Sequence, residues 1–193
     1  MITHLNGRLI EKNPTHVVLD CNGVGYFINI SLHTFGQLGD SEALTLYTHL
    51  QVKEDSHTLF GFMEVMEREI FRLLLSVSGI GSSTARTMLS SLDPNQIKQA
   101  IASNDVATIQ SIKGIGAKTA QRVILDLKDK ILKVYDMSTE NAVQSNTTKE
   151  EALSALETLG FARKQAEKVC TAIVKEKPDA SVETIIKEAL KKL

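Results

Sequence analysis

The sequence predicts a multidomain α+β protein: an N-terminal five-stranded β-barrel, a central all-helical domain and a C-terminal three-helix module. Three observations carry this. Residues 1–63 read as short β-strands separated by turns, and from Glu64 onward the period becomes that of a helix. A seventeen-residue segment recurs at a spacing of 35 in the middle of the chain. The stretch from Ser138 to Thr148 then offers almost nothing to bury before a last set of helical stripes.

In the first 63 residues, Val17, Leu19 and Cys21 alternate with Val18 and Asp20. Asn22-Gly23 is a hairpin signal ahead of Tyr26-Phe27-Ile28-Asn29-Ile30. Leu32 to Leu38 reads as a short helix and Leu44 to Val52 as a further strand. The polar turn Lys53-Glu54-Asp55-Ser56-His57 then leads into Thr58-Leu59-Phe60-Gly61-Phe62. About five strands with a helix before the fourth suggest a small closed barrel of the OB type, with a small open sheet as the rival.

Residues 64–137 form the helical middle. Val65, Phe71, Leu74 and Leu75 make one apolar face, and Asp93-Pro94 opens a later helix as N-cap and first helical residue. Residues 138–148 read as a flexible linker. In 149–193, Leu153, Leu156 and Leu159 form one stripe closed by Gly160. Ala166, Val169, Cys170 and Ile173 form a second, and Val182, Ile185, Ile186, Ala189 and Leu190 a third behind a Ser181 cap. A core that small on a tether suggests a docking module.

The repeat carries the chemistry. Residues 76–92 are SVSGIGSSTARTMLSSL and residues 111–127 are SIKGIGAKTAQRVILDL, identical at seven of seventeen positions. Each copy has an apolar helix end, a Gly-Ile-Gly turn and a helix opened by small residues. Glycines allow a sharp turn and close approach of a partner. The helix that follows offers free N–H groups and the positive end of its dipole, which suit a phosphate. Lys118 and Arg122, four residues apart, add charge on one helix face. A dinucleotide fingerprint would need a third glycine where Thr84 and Thr119 stand, and a strand in front. A P-loop would need Gly-Lys-Ser/Thr. A turn used only for packing is the remaining alternative, and the duplication within the basic part of the chain weighs against it.

Composition sets the outer limits. Apolar residues make up 42% and charged residues 23% of 193, the profile of a soluble globular protein. No apolar run reaches the roughly 18–20 residues of a spanning helix. No signal peptide is evident in Met1-Ile2-Thr3-His4-Leu5, so the expected location is the cytoplasm and no membrane is expected as a partner. Cys21 and Cys170 are isolated, and the five histidines sit singly in the first 57 residues, so neither a disulfide framework nor a metal site is expected. The net charge of −1 hides a gradient: residues 77–133 hold eight basic and four acidic side chains. Any electrostatic footprint for DNA therefore belongs in the middle third.

The Gly-Ile-Gly pair has the pattern of tandem helix-hairpin-helix motifs. The chain as a whole resembles the RuvA family, the Holliday-junction-binding subunits of bacterial RuvAB branch-migration complexes. Supporting residues are Met1-Ile2 with Leu5-Asn6-Gly7, Asp20 to Tyr26 (DCNGVGY), Lys53-Glu54-Asp55 before Leu59-Phe60-Gly61-Phe62, and Leu156 to Phe161 (LETLGF). The resemblance implies a four-fold tetramer that holds an opened four-way junction on its concave face, with a second tetramer closing over it in some cases. Its role would lie in recombination and in repair of DNA damage, including the SOS response. It implies DNA contacts at Gly79, Gly81, Ser82, Ser83, Gly114, Gly116, Lys118, Thr119 and Arg122, and a central acidic pin at Glu54 and Asp55. On turn chemistry alone those two acids read as solvated charge. Ser83 and Ala117 stand where the family often has lysine, so less charge would be neutralised per subunit. The resemblance also implies that a hexameric RuvB-type ATPase docks on an apolar surface, with Leu156, Leu159 and Phe161 as candidates, although packing in the core is the ordinary role of a leucine stripe. A RuvC-type resolvase is a further partner. No catalytic motif appears and no cofactor is expected. The competing reading is a helix-hairpin-helix nuclease or glycosylase, prompted by Asp126 and Asp129 after the second hairpin. A third is a general scaffold.

Overall fold

The structure, a computed structural model, describes residues 1–39, 41–139, 147–177 and 180–193. It divides into two compact units, residues 1–138 and residues 139–193.

The first unit begins with a closed barrel in the order β1-β2-β3-β5-β4. The strands are β1 (His4–Asn13), β2 (His16–Cys21), β3 (Val24–Ile30), β4 (Ala43–Val52) and β5 (His57–Phe62), with α1 (Leu32–Gln37) before β4. The barrel expected from the sequence is therefore present, and the open sheet is not. Asn22 and Gly23 both have positive φ, 55° and 87°, as a two-residue hairpin of matching twist requires. The parallel pairing of β3 with β5 and the antiparallel pairing of β1 with β4 close the cylinder. In strand β1 a register shift between Leu9 and Glu11 interrupts the alternation and leaves Ile10 more than half exposed. Val17, Leu19, Ile28, Ile30, Leu44 and Leu46 fill the interior.

Two side chains of β5 do not serve that interior. Phe60 and Phe62 join the core of the helical domain, with ring centroids 5.0 and 5.1 Å from that of Phe71 on α2 (Val65–Leu75). Beside them Glu67 is completely buried. Its carboxylate accepts from the Ser31 hydroxyl and, at 2.6 Å, from that of Thr34. Ser31 is in turn the N-cap of α1, accepting from the Thr34 N–H at 2.9 Å. A buried carboxylate is tolerable only with such donors. Burial nonetheless outweighs the two hydrogen bonds and pushes the Glu67 carboxyl above its ordinary value.

Helices α3 (Ser82–Ser91), α4 (Pro94–Ala102), α5 (Val106–Gln110) and α6 (Ala117–Thr139) complete this unit. Asp93 caps α4 in a reciprocal capping box with Gln96, as Asp93-Pro94 predicts. Asp105 caps α5, and its bonds from the Thr108 hydroxyl and N–H hold its carboxyl below the usual range.

The second unit holds α7 (Thr147–Thr158), α8 (Arg163–Glu176) and α9 (Val182–Lys192), the three helices expected. Gly160, at φ 97°, ends α7. The Gly160 N–H donates to Glu157 O at 3.0 Å and the Phe161 N–H to Leu156 O at 3.1 Å, which is a Schellman closure. Ser181 caps α9 through the Thr184 N–H. Buried Cys170 has its thiol pushed up by desolvation, so it behaves as a small core hydrophobe. The linker expected over 138–148 falls mainly on residues 140–146, which lie outside the described residues, as does Pro178. Ser138 and Thr139 belong to α6, and Thr147 and Thr148 to α7. Among the described residues, no helix is long and apolar enough to cross a membrane.

Glu67 yields a pH prediction. Its folded-state pKa is raised, so its stabilisation is complete below the ordinary glutamate value and is lost as pH rises through the raised value. Glu67→Gln keeps a hydrogen-bonding shape without the charge. Thermal melts should show the variant gaining on the parent between pH 5 and pH 8, by on the order of a few degrees. A variant that falls further behind as pH rises would show that the ionised form is the stabilised one.

Candidate nucleic-acid interface

The two Gly-Ile-Gly copies fold alike, bond for bond. Ile80 N–H donates to Val77 O at 3.1 Å, and Ile115 N–H to Ile112 O at 3.0 Å. Ala85 N–H donates to Gly81 O at 2.9 Å, and Ala120 N–H to Gly116 O at the same distance. Residues 35 apart are buried together: Val77 with Ile112, Ile80 with Ile115, Met88 with Val123 and Leu89 with Ile124. These pairs belong to one core, which seats both turns on the same body.

The glycines of each turn divide the work. Gly79 and Gly114 take φ of 95° and 89°, a left-handed region that side chains other than glycine resist. Gly81 does not need that freedom. It is the N-cap of α3 at φ −89° and ψ 170°, much like Ser31 at −82° and 165° and Ser181 at −67° and 157°. Those serines spend their oxygens on the first-turn N–H groups, as do Asp93 and Asp105. Gly81 has no side chain to do so, which leaves the first turn of α3 without a side-chain acceptor. A Cβ built on Gly79, Gly81, Gly114 or Gly116 meets nothing within 4 Å, so the space in front of both turns is open. Together these features leave two open glycine turns, each leading into a helix start of the kind that suits an anion.

Charge is unequal between the copies. Residues 76–85 contain no ionisable side chain, and exposed Ser83 stands where the second copy has exposed Lys118. Arg122, also exposed, reaches from α6 to the first turn, where Nη1 donates to Ser78 O at 3.4 Å. One guanidinium therefore stands between the two hairpins. Thr119 is half-buried at the start of α6. Lys113 is exposed in the second turn at the position of Ser78, and no identity between the two copies marks it. Arg86 is drawn away instead, to Asn29 Oδ1 at 2.8 Å and Thr15 O at 3.3 Å on the barrel.

Ser82 is placed differently from its neighbours. Its hydroxyl donates to Gln51 Oε1 on β4 at 2.9 Å. No sequence signal singled out Gln51, because a lone glutamine near a strand end has no pattern. Glu54 and Asp55 are exposed at the β4–β5 turn, three and four residues beyond Gln51. The turn is closed by the Lys53 N–H to Ser56 O at 2.8 Å, and Ser56 donates to Asp55 at 3.2 Å.

In the second unit the three apolar candidates separate. Leu156 is wholly buried, Phe161 packs half-buried against the same core, and Leu159 is 59% exposed. Arg163 pairs with Glu157 at 3.1 Å and Glu150 at 3.2 Å alongside them.

Comparison with known proteins agrees with this layout. The family model described as the RuvA N terminal domain matches residues 1–61. A SAM-like helix-hairpin-helix tandem matches 71–129, and the RuvA C-terminal domain matches 148–193. The chain is 70% identical to the Holliday junction branch migration complex subunit RuvA of Christiangramia forsetii, over the full length of both chains. It is 65% identical to the protein of that name from Flavobacterium psychrophilum and 46% to that from Bacteroides thetaiotaomicron, again over the whole of both chains. With the barrel, the paired hairpins and the terminal helices all matched in order, the chain belongs to the RuvA family.

Proposed function

We propose that this chain is a non-catalytic DNA-binding subunit that recognises four-way junctions and holds them open for a motor supplied in trans. The observation that carries the reading is the pair of congruent hairpins, each with an uncluttered helix start behind a left-handed glycine. Backbone N–H donors and a few cations bind phosphate without reading bases, which suits a junction of arbitrary sequence. Gly79, Gly81, Gly114 and Gly116 admit the DNA backbone, Lys118 and Arg122 add charge, and Lys113 joins them. The names of the full-length relatives support the junction as substrate and a branch-migration complex as the setting. They also disfavour the nuclease or glycosylase reading.

The finer assignments belong to the same proposal. Four copies arranged about an axis would bring Glu54 and Asp55 to the crossover as an acidic pin. The assembly is a homotetramer, doubled to an octamer on some junctions. The motor is a RuvB-type hexameric ATPase, and its dock is the exposed Leu159 beside Phe161, with Leu156 supporting both from the core. A RuvC-type resolvase meets the same complex, and the setting is the cytoplasm.

A gel shift comparing a four-way junction with a linear duplex of the same sequence tests the reading directly. The junction should bind far more tightly, and equal affinities would overturn it. Gly81→Ser tests the contact itself. A serine at that φ and ψ would cap α3 as Ser31 caps α1, so the melting temperature should hold or rise. Junction affinity should fall, by roughly three- to tenfold, because the hydroxyl occupies the N–H groups meant for phosphate. Unchanged affinity would show that the helix start is not the contact. Gly114→Val cannot make this distinction, since its φ of 89° would cost about 1–3 kcal/mol of fold stability on its own.

The acidic turn is tested by Glu54→Gln with Asp55→Asn. Removing charge that repels a continuous duplex should tighten duplex binding by roughly threefold or more at low salt, while junction binding holds, so the preference narrows. Unchanged duplex affinity at low salt would exclude the pin.

A further inference from the structure

We infer that Gln51 is a positioning residue that sets the first hairpin against the acidic turn, and that Ser82 serves this bond rather than the DNA. The inference rests on the junction-binding reading above.

One face of β4 forms the seam between the barrel and the helical domain. Tyr47, His49 and Gln51 alternate with the inward-facing Leu46 and Thr48. The Arg68 guanidinium lies 5.4 Å from the Tyr47 ring centroid. His49 meets the edge of Phe71, with centroids 5.5 Å apart, and Gln51 accepts from Ser82. Proceeding along the strand, the seam thus passes from α2 to the opening residue of α3. Strand β4 ends one residue later, at Val52, and Glu54 and Asp55 follow. Three and four residues of chain span no more than about 10–14 Å, which keeps Gln51 close to the acidic pair. The end of one strand therefore carries the seat of the first hairpin and leads directly into the acidic turn.

The chemistry of the first hairpin makes this seat important. It has no ionisable side chain of its own, so it meets phosphate through neutral N–H donors. Such bonds weaken steeply with distance and angle, whereas the Coulomb attraction of Lys118 or Arg122 tolerates displacement. The first hairpin consequently needs fixing in place more than the second does. A serine hydroxyl has one proton, and that of Ser82 is directed to Gln51 Oε1. What remains on the Ser82 side chain is acceptor capacity, which offers a phosphate oxygen nothing, and only its backbone N–H stays with the helix start.

The test uses the full chain and four variants, Gln51→Met, Ser82→Ala, their combination, and Ser82→Thr, which retains the hydroxyl. Affinities for a four-way junction and for linear duplex are measured together with the melting temperature and the salt dependence. Gln51→Met and Ser82→Ala should each lower junction affinity by roughly three- to tenfold, and the combination should be no worse than either alone. Duplex affinity should change less, so the junction preference falls, and the salt slope should hold because no cation is lost. Ser82→Thr should restore the parent behaviour. If Ser82→Ala loses affinity while Gln51→Met does not, Ser82 touches DNA directly and the inference is wrong. Equal losses on junction and duplex, or losses that follow only the melting temperature, also overturn it. If Gln51→Met fails to fold, Ser82→Ala and Ser82→Thr decide through the junction-to-duplex ratio, which must fall in the first and recover in the second. A parent protein with no junction preference would instead refute the functional reading itself.

Discussion

The packing of Phe71 against Phe60 and Phe62 is the constraint on which the first unit depends. Those two phenylalanines are strand residues, yet they belong to the helical core, so the barrel cannot shift without opening the core that seats both hairpins. The Glu67 carboxylate works at the same seam. Hydrophobic contact alone lets two bodies slide, whereas a buried acid bonded to Ser31 and Thr34 has one satisfactory position. The geometry between a turn of the barrel and a turn of the helical domain is thereby held by packing and by polar matching together.

Within that frame the two hairpins share a backbone and differ in charge. The core requires apolar residues at the same positions in both copies, because each must bury one helix end and one helix start. Nothing in packing demands a cation, and the second copy alone carries Lys113, Lys118 and Arg122. Arg122 partly evens the balance by extending to Ser78 O. In general an N–H donor is strongly directional, whereas a guanidinium adds attraction that reaches further.

The second unit shows how a small module divides one short segment between structure and surface. Leu156 and Phe161 close the Schellman turn and its core, and Gly160 supplies the positive φ the turn needs. Leu159 sits at the helix end with its side chain in solvent. Adjacent apolar letters in the sequence therefore have unlike roles, decided by their position around the last helical turn.

Local order was legible in the chain itself. Alternation marked β2, apolar runs bounded by polar turns marked β3 to β5, Asn22-Gly23 marked a hairpin, Asp93-Pro94 and Ser181 marked helix starts, and the 35-residue repeat marked the hairpins. Each depends on backbone geometry that a few neighbouring residues impose. Strand β1 was harder to delimit because its bulge breaks the alternation. What only the tertiary structure decided is where side chains of ordinary polarity go once distant segments meet. Ser82 turns to Gln51, Arg86 to Asn29 and Thr15, Arg122 to Ser78, and Glu67 into the core beneath Ser31 and Thr34. These bonds join residues 31 to 71 positions apart, and no local pattern encodes them. Their partners are set by which surfaces the two cores bring together, a property of packing rather than of neighbouring letters.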